Sequence, residues 1–146
     1  MGILDADSAE HGGSSKNLLI APVACPVPNG TDGSPKLSGR RAIRIKPGCR
    51  LAAIYRTSDI EEEYFCNYEV RPDYRATLEA SDARVTGIGP DDEVRVVELP
   101  DQRFWIATLY QPQRSSKPGA PNPLVRAFVA AAEEFASERA ARGAWP

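Results

Sequence analysis

The stretch that most constrains the fold of this chain covers residues 98–113 and ends in Gln-Pro-Gln. Within it, residues 104–110 are apolar at most positions, which is typical of a strand buried on both faces. Pro112 removes a backbone donor and predicts that the strand ends between Gln111 and Gln113. Because α/β sheets usually carry their sites at the ends of buried strands, we predict a functional region here.

Composition and charge are typical of one globular domain. The chain has 146 residues, of which 42% are hydrophobic and 26% are charged, and this suffices for one core. The net charge is −2, and the absence of a basic run with interleaved aromatic residues argues against a nucleic-acid partner. No apolar run approaches the roughly 20 residues of a membrane span. The acidic, polar residues 1–13 are unlike a signal peptide, so we expect a cytoplasmic location.

Local patterns predict the order of the elements. We expect residues 1–16 to be a flexible lead-in, residues 17–142 a partial domain and residues 143–146 a tail. Strands are predicted at 17–23, 40–46, 64–70, 84–88 and 93–99, the last two as an antiparallel hairpin. Pro72 begins a short helix. Asn122 caps a final helix whose apolar stripe should cover the sheet, namely Leu124, Phe128, Ala131 and Phe135.

Several stretches of the chain, besides Gln-Pro-Gln at 111–113, carry recognisable sequence patterns. Residues 62–70 read Glu-Glu-Tyr-Phe-Cys-Asn-Tyr-Glu-Val, and residues 71–80 contain Arg-Pro-Asp-Tyr-Arg followed by Leu-Glu-Ala. These stretches resemble the later part of the class I glutamine amidotransferase domain, most closely the carboxyl-terminal domain of CTP synthase. Residues 85–87, 93–99 and 123–129 share the resemblance. Small stand-alone proteins related to that carboxyl terminus are more similar still, through the stretches at 17–22 and 66–68.

The resemblance implies an α/β, flavodoxin-like class I glutamine amidotransferase fold with a largely parallel sheet. This chain would supply the carboxyl-terminal half, with strands, a hairpin and the closing helix. In the family the domain hydrolyses glutamine and delivers ammonia for the conversion of UTP to CTP, in pyrimidine nucleotide biosynthesis. A half-sheet would expose an unpaired edge. We therefore expect either a truncated start, or a homo-oligomer or partner chain that completes the sheet.

The family's Cys-His-Glu triad is degenerate in this chain. Gln111 stands at the position of the His and Gln113 at that of the Glu, and neither amide can take a proton or carry charge. The family's nucleophile lies on a tight turn from a strand into a helix, whereas we expect Cys49 to lie in a turn that leads into no helix. Hydrolysis by this route needs a thiolate, a base and a group that orients the base, so we expect a pseudoenzyme without glutaminase activity.

Two cysteines support an alternative hypothesis. Cys66 stands where the synthase has the second His of its Arg-His-Arg-His-Arg run, and Cys25 lies in a segment that lines the glutamine pocket of the family. The chain would then be a thiol-dependent enzyme that uses Cys66, with or without Cys25. Free cysteines are more often small buried apolar residues, and this interpretation stays open beside the first.

A third hypothesis is a non-catalytic module that binds a small molecule or a partner. Gln111 and Gln113 would then hold a small amide or amino acid such as glutamine. The family pattern makes Asn67, Tyr68 and Glu69 weak pocket candidates, although Tyr68 and Glu69 are otherwise expected in sheet packing and at the surface.

The remaining polar residues predict no further site. The acidic residues 61–63 are expected to be solvated, because alternate residues of a strand face opposite ways and three in a row do not converge on a metal. His11 is expected to be an exposed loop residue. Three irregularly spaced cysteines predict no disulfide framework or zinc site, and no cofactor is expected.

Overall fold

The structure is a computed structural model that describes residues 3–12, 16–23 and 35–143. The described strands are β1 (Asp7–Ser8), β2 (Leu18–Pro22), β3 (Leu37–Ile45), β4 (Asp59–Cys66), β5 (Tyr68–Val70), β6 (Arg84–Ile88), β7 (Val94–Glu98) and β8 (Ile106–Thr108). The described α-helices are α1 (Arg50–Tyr55), α2 (Arg75–Glu79), α3 (Pro112–Ser115) and α4 (Pro123–Ala141). The strands predicted at 17–23 and 40–46 and the hairpin of β6 and β7 are confirmed.

The strands form two sheets, one of five strands in the order β4-β3-β6-β7-β8 and one of three in the order β1-β2-β5. All pairings between the described strands are antiparallel except that of β1 with β2. The expectation of a largely parallel sheet is therefore wrong for this part of the chain. The physical reason lies in the connections, because β6 and β7 are joined by a short turn, and parallel neighbours need a crossover of about a dozen residues or more.

The long hairpin of β3 and β4 is the frame of the molecule. The two strands pair continuously from Leu37 opposite Cys66 to Arg44 opposite Asp59. On its other edge β3 pairs with β6 only at Arg44 and Ile45. The first part of β3 therefore diverges from β6 and β7, and a cleft opens between them.

Two apolar cores lie on the two faces of the five-stranded sheet. Adjacent residues of a strand point to opposite faces, so Val96 packs in one core and Val97 in the other. The first core includes Leu51 of α1, Tyr64, Tyr110 and Leu124, each at most 6% exposed. The second is the smaller core, built around Leu78 of α2 and the β6–β7 hairpin.

The strand predicted at 104–110 is shorter than expected. Only Ile106–Thr108 pairs with β7, and Trp105 is 42% exposed. Burial within the segment is mixed, since Tyr110 is 1% exposed while Ala107 is exposed, and β8 is the outermost strand of the sheet. An edge strand has one unpaired side and is commonly short.

Helix α4 begins where the sequence predicts, with Asn122 as N-cap and Pro123 in the first turn. Its apolar stripe, however, does not cover the sheet as predicted. Leu124 is buried, whereas Phe128 and Phe135 are 57% and 43% exposed. The helix packs on α1 and α3, and beyond its first turns the described residues cover the stripe only in part, through Phe104 against Phe128 and Arg103 over Phe135.

The described part of the predicted lead-in contains a strand. Asp7–Ser8 pairs with β2, and the following turn ends at His11, which is exposed as expected. Within the described residues, no helix combines the length and apolarity that a membrane crossing needs.

Candidate functional site

Gln111 is fixed at the outer edge of β4. Its backbone N–H donates to the carbonyl of Glu63 at 2.8 Å, and its side-chain Nε2 donates to the carbonyl of Phe65 at 3.3 Å. Among the described residues, none hydrogen-bonds its Oε1 acceptor. Gln113 lies in α3 and is exposed. At Gln111, which the sequence comparison with the family matches to the His, the chain holds an oriented amide that can donate and accept hydrogen bonds but cannot act as a base. The correspondence with the triad stays a prediction.

Cys66 lies at the end of β4, beside the carbonyl that Gln111 contacts. Its Sγ lies 3.4 Å from both the N–H and the carbonyl oxygen of Tyr68, and the residue is half-buried. Cys25, the other thiol candidate, lies outside the described residues. Cys66 thus follows directly after Phe65, whose carbonyl Gln111 contacts, and the pairing of Cys66 with Cys25 stays a prediction.

Cys49 corrects one sequence expectation, because it does lead into a helix. It is the N-cap of α1, and its Sγ accepts the N–H of Ala52 at 3.3 Å. Glu98 accepts the N–H groups of Arg50 and Leu51 at 3.1 and 2.9 Å. These caps accept the N–H groups of the first turn of α1, which have no partner within the helix. They explain why so short a helix forms.

The Cys49 thiol is nevertheless a poor nucleophile. Burial, and to a smaller extent the charge of Glu98, raises the pKa of this thiol, and the thiolate is the reactive form. Cys49 follows the end of β3 at which Arg44 pairs with Asp59, whereas Cys66 pairs at the other end. The strand length separates the two cysteines by about 20 Å.

The three ligand candidates at 67–69 join the two sheets. Asn67 accepts the N–H of Val23 at its carbonyl, at 2.8 Å, and the N–H of Lys36 at its Oδ1, at 3.0 Å. Tyr68 pairs with Pro22 in the smaller sheet. Glu69 is 8% exposed, and its carboxylate lies 3.2 Å from the guanidinium of Arg95. Glu69 is therefore buried and ion-paired, and the expectation of a surface residue is wrong.

The expectation of a solvated acidic run at 61–63 is wrong for its central residue. Glu62 is 3% exposed and its carboxylate accepts hydrogen bonds from Tyr55 at 2.7 Å, Asn122 at 2.6 Å and Ser115 at 2.7 Å. Tyr55 Oη also lies 3.1 Å from the Oη of Tyr110. Burial raises the pKa of both phenols. The alternation of β4 was the available signal, because it places Glu62 on the buried face with Tyr64.

This carboxylate network forms the wall of a polar cavity beside the Gln111 position. The cavity has a volume of about 360 Å³ and is lined by Glu62, Ser115 and Asn122 among other residues. The lining carries charges of both signs, from Arg40, Arg114 and Lys117 and from Glu61 and Glu63. The described residues contain no group of three or more side chains that could hold a metal ion. The arrangement can orient a polar ligand through hydrogen bonds.

Comparison with known proteins relates this chain to the CTP synthases. No protein-family model matches the chain. The CTP synthase of Chloroflexus aurantiacus is 38% identical over 91 residues, which cover 62% of this chain and 17% of that protein. The CTP synthase of Levilactobacillus brevis is 34% identical over 134 residues, which cover 90% of this chain and 25% of that protein.

A solved structure gives the same assignment. The glutaminase domain of Trypanosoma brucei CTPS, with bound acivicin, matches with a TM-score of 0.78 at 26% identity, over 91% of this chain and 52% of that chain. Of the two curated relatives named above, by contrast, the chain spans a quarter of the length or less. The chain belongs with the flavodoxin-like, class I glutamine amidotransferase-like domains and is related to the glutaminase domain of CTP synthase.

Proposed function

We propose that this chain is a glutamine amidotransferase-like domain that binds a small amide or amino acid, such as glutamine, without hydrolysing it through a Cys-His-Glu triad. The observation that carries the proposal is the amide of Gln111, which donates to the carbonyl of Phe65 at the position where the family has its base. A side chain without a titratable group can orient a ligand but cannot accept its proton.

The cysteines support the same conclusion. None of the three lies in a Gly-x-Cys-x-Gly sequence, and Cys49 is a helix cap about 20 Å from Cys66 along the β3–β4 hairpin. A role in ammonia supply for the amination of UTP to CTP in the cytoplasm would then depend on another protein that releases the ammonia.

A thiol-dependent reaction at Cys66 is the second candidate, favoured by its half-buried thiol one residue after Phe65, whose carbonyl Gln111 contacts. The reaction would add Sγ to the ligand's amide carbon with release of ammonia, and water would then free the acid. If this reaction occurs, the chain should release ammonia from glutamine, and the Cys66→Ser variant should not.

Glutamine binding tests the proposal through Gln111. The free Oε1 of this residue can accept an N–H of the ligand, and its loss in Gln111→Ala should weaken binding by about fivefold to tenfold, the effect of one hydrogen bond. Isothermal titration calorimetry with L-glutamine measures this. Gln102→Ala is the matched control, because Gln102 is exposed in the turn before β8 and should leave binding unchanged. Equal affinity of Gln111→Ala and the original chain would contradict the proposed binding mode.

We also propose that the chain self-associates through the exposed groove of α4, a contact different from the completion of the sheet that the sequence led us to expect. The groove has a volume of about 290 Å³ and is lined by aromatic residues, including Phe104, Phe128 and Phe135. Its rim carries both signs of charge, in the Arg103–Glu138 ion pair. A surface with both charges is complementary to itself across a twofold axis, and monomers rarely expose such apolar patches.

A charge in this groove should therefore dissociate the dimer. Sedimentation velocity at micromolar concentration should show a dimer for the original chain and a monomer for Phe128→Glu, because the new carboxylate would be buried without a partner. Ala130→Glu is the control, since Ala130 is exposed on α4 but does not line the groove. A monomeric original chain would refute the self-association.

A further inference from the structure

The cleft between β3 and β7 is a charged cavity that has no role in the function proposed above. It has a volume of about 380 Å³ and exists because β3 pairs with β6 only at Arg44 and Ile45. Leu37, Arg41 and Ala42 of β3 form one wall, and the turn that carries Asp91 and Glu93 forms the opposite wall. A cavity of this size accommodates a small molecule.

The two walls of this cleft carry opposite charge. Lys36 and Arg41 lie on the β3 side, while Asp91 and Glu93 lie on the turn. The Arg41 Nε is buried and has no hydrogen-bond partner among the described residues. In that same part of the chain, neither Arg41 nor Asp91 takes part in an ion pair. A buried polar group without a partner is costly, and a bound anion would satisfy Arg41.

The floor of the cleft is closed by an ion-paired group. Arg95 is 6% exposed, it contacts both Glu69 and Glu93, and its guanidinium lies 5.8 Å above the ring of Tyr64. Because Arg95, Glu69 and Glu93 are paired with one another, Lys36, Arg41 and Asp91 are the lining charges without an ion pair among the described residues. The remaining lining is aliphatic or proline, from Val23, Leu37, Ala42, Pro72 and Pro90.

We propose that this cleft binds a free α-amino acid with a small aliphatic side chain. The carboxylate of the ligand lies on Arg41 and Lys36, its ammonium on Asp91, and its side chain against the apolar lining. A zwitterion neutralises both walls at once, whereas an anion or a cation alone would meet one wall of like charge. Apolar walls with a few placed charges are typical of such specific sites.

The inference goes beyond the proposed function, because the cleft and the Gln111 position are different places. Gln111 contacts the outer edge of β4, whereas the cleft lies on the far side of β3. Two strand spacings separate them by about 10 Å. Failure of glutamine binding at Gln111 would therefore leave this proposal intact, and the reverse also holds.

Calorimetry of the full chain with L-leucine and L-valine tests the proposal. Each should bind with an affinity of millimolar or tighter. Two analogues of leucine, 3-methylbutylamine without the carboxylate and 4-methylpentanoate without the ammonium, should bind at least about tenfold more weakly, because each loses one charged contact. L-glutamine should also bind this cleft more weakly than leucine, since its amide would lie against the apolar lining.

Substitutions of Arg41 and Asp91 give the decisive comparison. Arg41→Gln and Asp91→Asn should each weaken leucine binding at least about tenfold, and Arg44→Gln, an exposed position on the same strand, should not. Asp91 is exposed in a turn, so Asp91→Asn is informative even if Arg41→Gln unfolds. The proposal is overturned if the folded chain binds neither amino acid, if either analogue binds as tightly as leucine, or if Asp91→Asn binds leucine normally.

Discussion

Replacing Glu62 by alanine should lower the free energy of unfolding by about 3 kcal/mol. The substitution removes the acceptor of Tyr55, Ser115 and Asn122, and leaves the buried Asn122 amide without its 2.6 Å partner. A buried donor without an acceptor costs about 1–3 kcal/mol. Because the network joins α1, β4, α3 and α4, its loss should also lower the cooperativity of unfolding. Urea denaturation followed by tryptophan fluorescence measures both.

The neighbouring Glu61 provides a matched control. It is exposed and contacts only Arg40, another exposed side chain, so Glu61→Ala should change stability by less than about 0.5 kcal/mol. The same chemical change one residue apart then differs only in burial. If the two variants were equally stable, the buried network would not contribute to the fold.

Alkaline unfolding is the second large effect that we expect. Tyr64 and Tyr110 are each 1% exposed, and burial raises the pKa of both phenols. The unfolded phenols ionise near pH 10, while the folded ones stay protonated. Above about pH 10 the unfolded state therefore binds fewer protons than the folded state, and stability falls as pH rises. Two tyrosines should cost about 3 kcal/mol per pH unit there.

The pH dependence can be measured by urea unfolding at pH 7 and at steps between about pH 9 and pH 11. Tyr64→Phe is the informative variant, because the Tyr64 hydroxyl is buried without a partner among the described residues. Its removal should be neutral or stabilising at pH 7 and should make the alkaline decline shallower. Stability that stays constant up to about pH 11 would contradict the burial of these phenols.

Local patterns predicted the elements whose signals are themselves local. The alternation in β3, the turn between β6 and β7, and the Asn122-Pro123 start of α4 each lie within a few residues of the element that they define. Elements stabilised from a distance could not be read in this way. Helix α1 is one case, because Glu98, which caps its N-terminus, lies 47 and 48 positions from the N–H groups that it accepts.

The residues of the candidate site also differ in whether their signals are local or come from distant parts of the chain. The assignment of Gln111 and Gln113 to degenerate triad positions comes from the sequence alone, because they follow a strand in a matched stretch, and it stays a prediction. Glu62 was misjudged, since two of its partners, Ser115 and Asn122, lie 53 and 60 positions away. The alternation of β4 alone could have placed Glu62 inside, but it could not have supplied the donors that make its burial tolerable.

The exposed stripe of α4 shows a limit of periodicity. Helical spacing correctly predicts that Leu124, Phe128 and Phe135 share one face, but not what lies against that face. In the structure only Leu124 is buried, while Phe128 contacts Phe104 edge to face at 5.7 Å and stays largely exposed.

The most direct test of the account is the turnover of L-glutamine by the purified chain at stoichiometric protein concentration, measured as glutamate and ammonia formed. If Gln111 and Gln113 occupy the His and Glu positions as proposed, the chain should form no more of either product than a protein-free control. Formation of glutamate in excess of the protein present, abolished by Cys66→Ser and unaffected by Cys49→Ser, would contradict the account and establish a thiol-dependent enzyme.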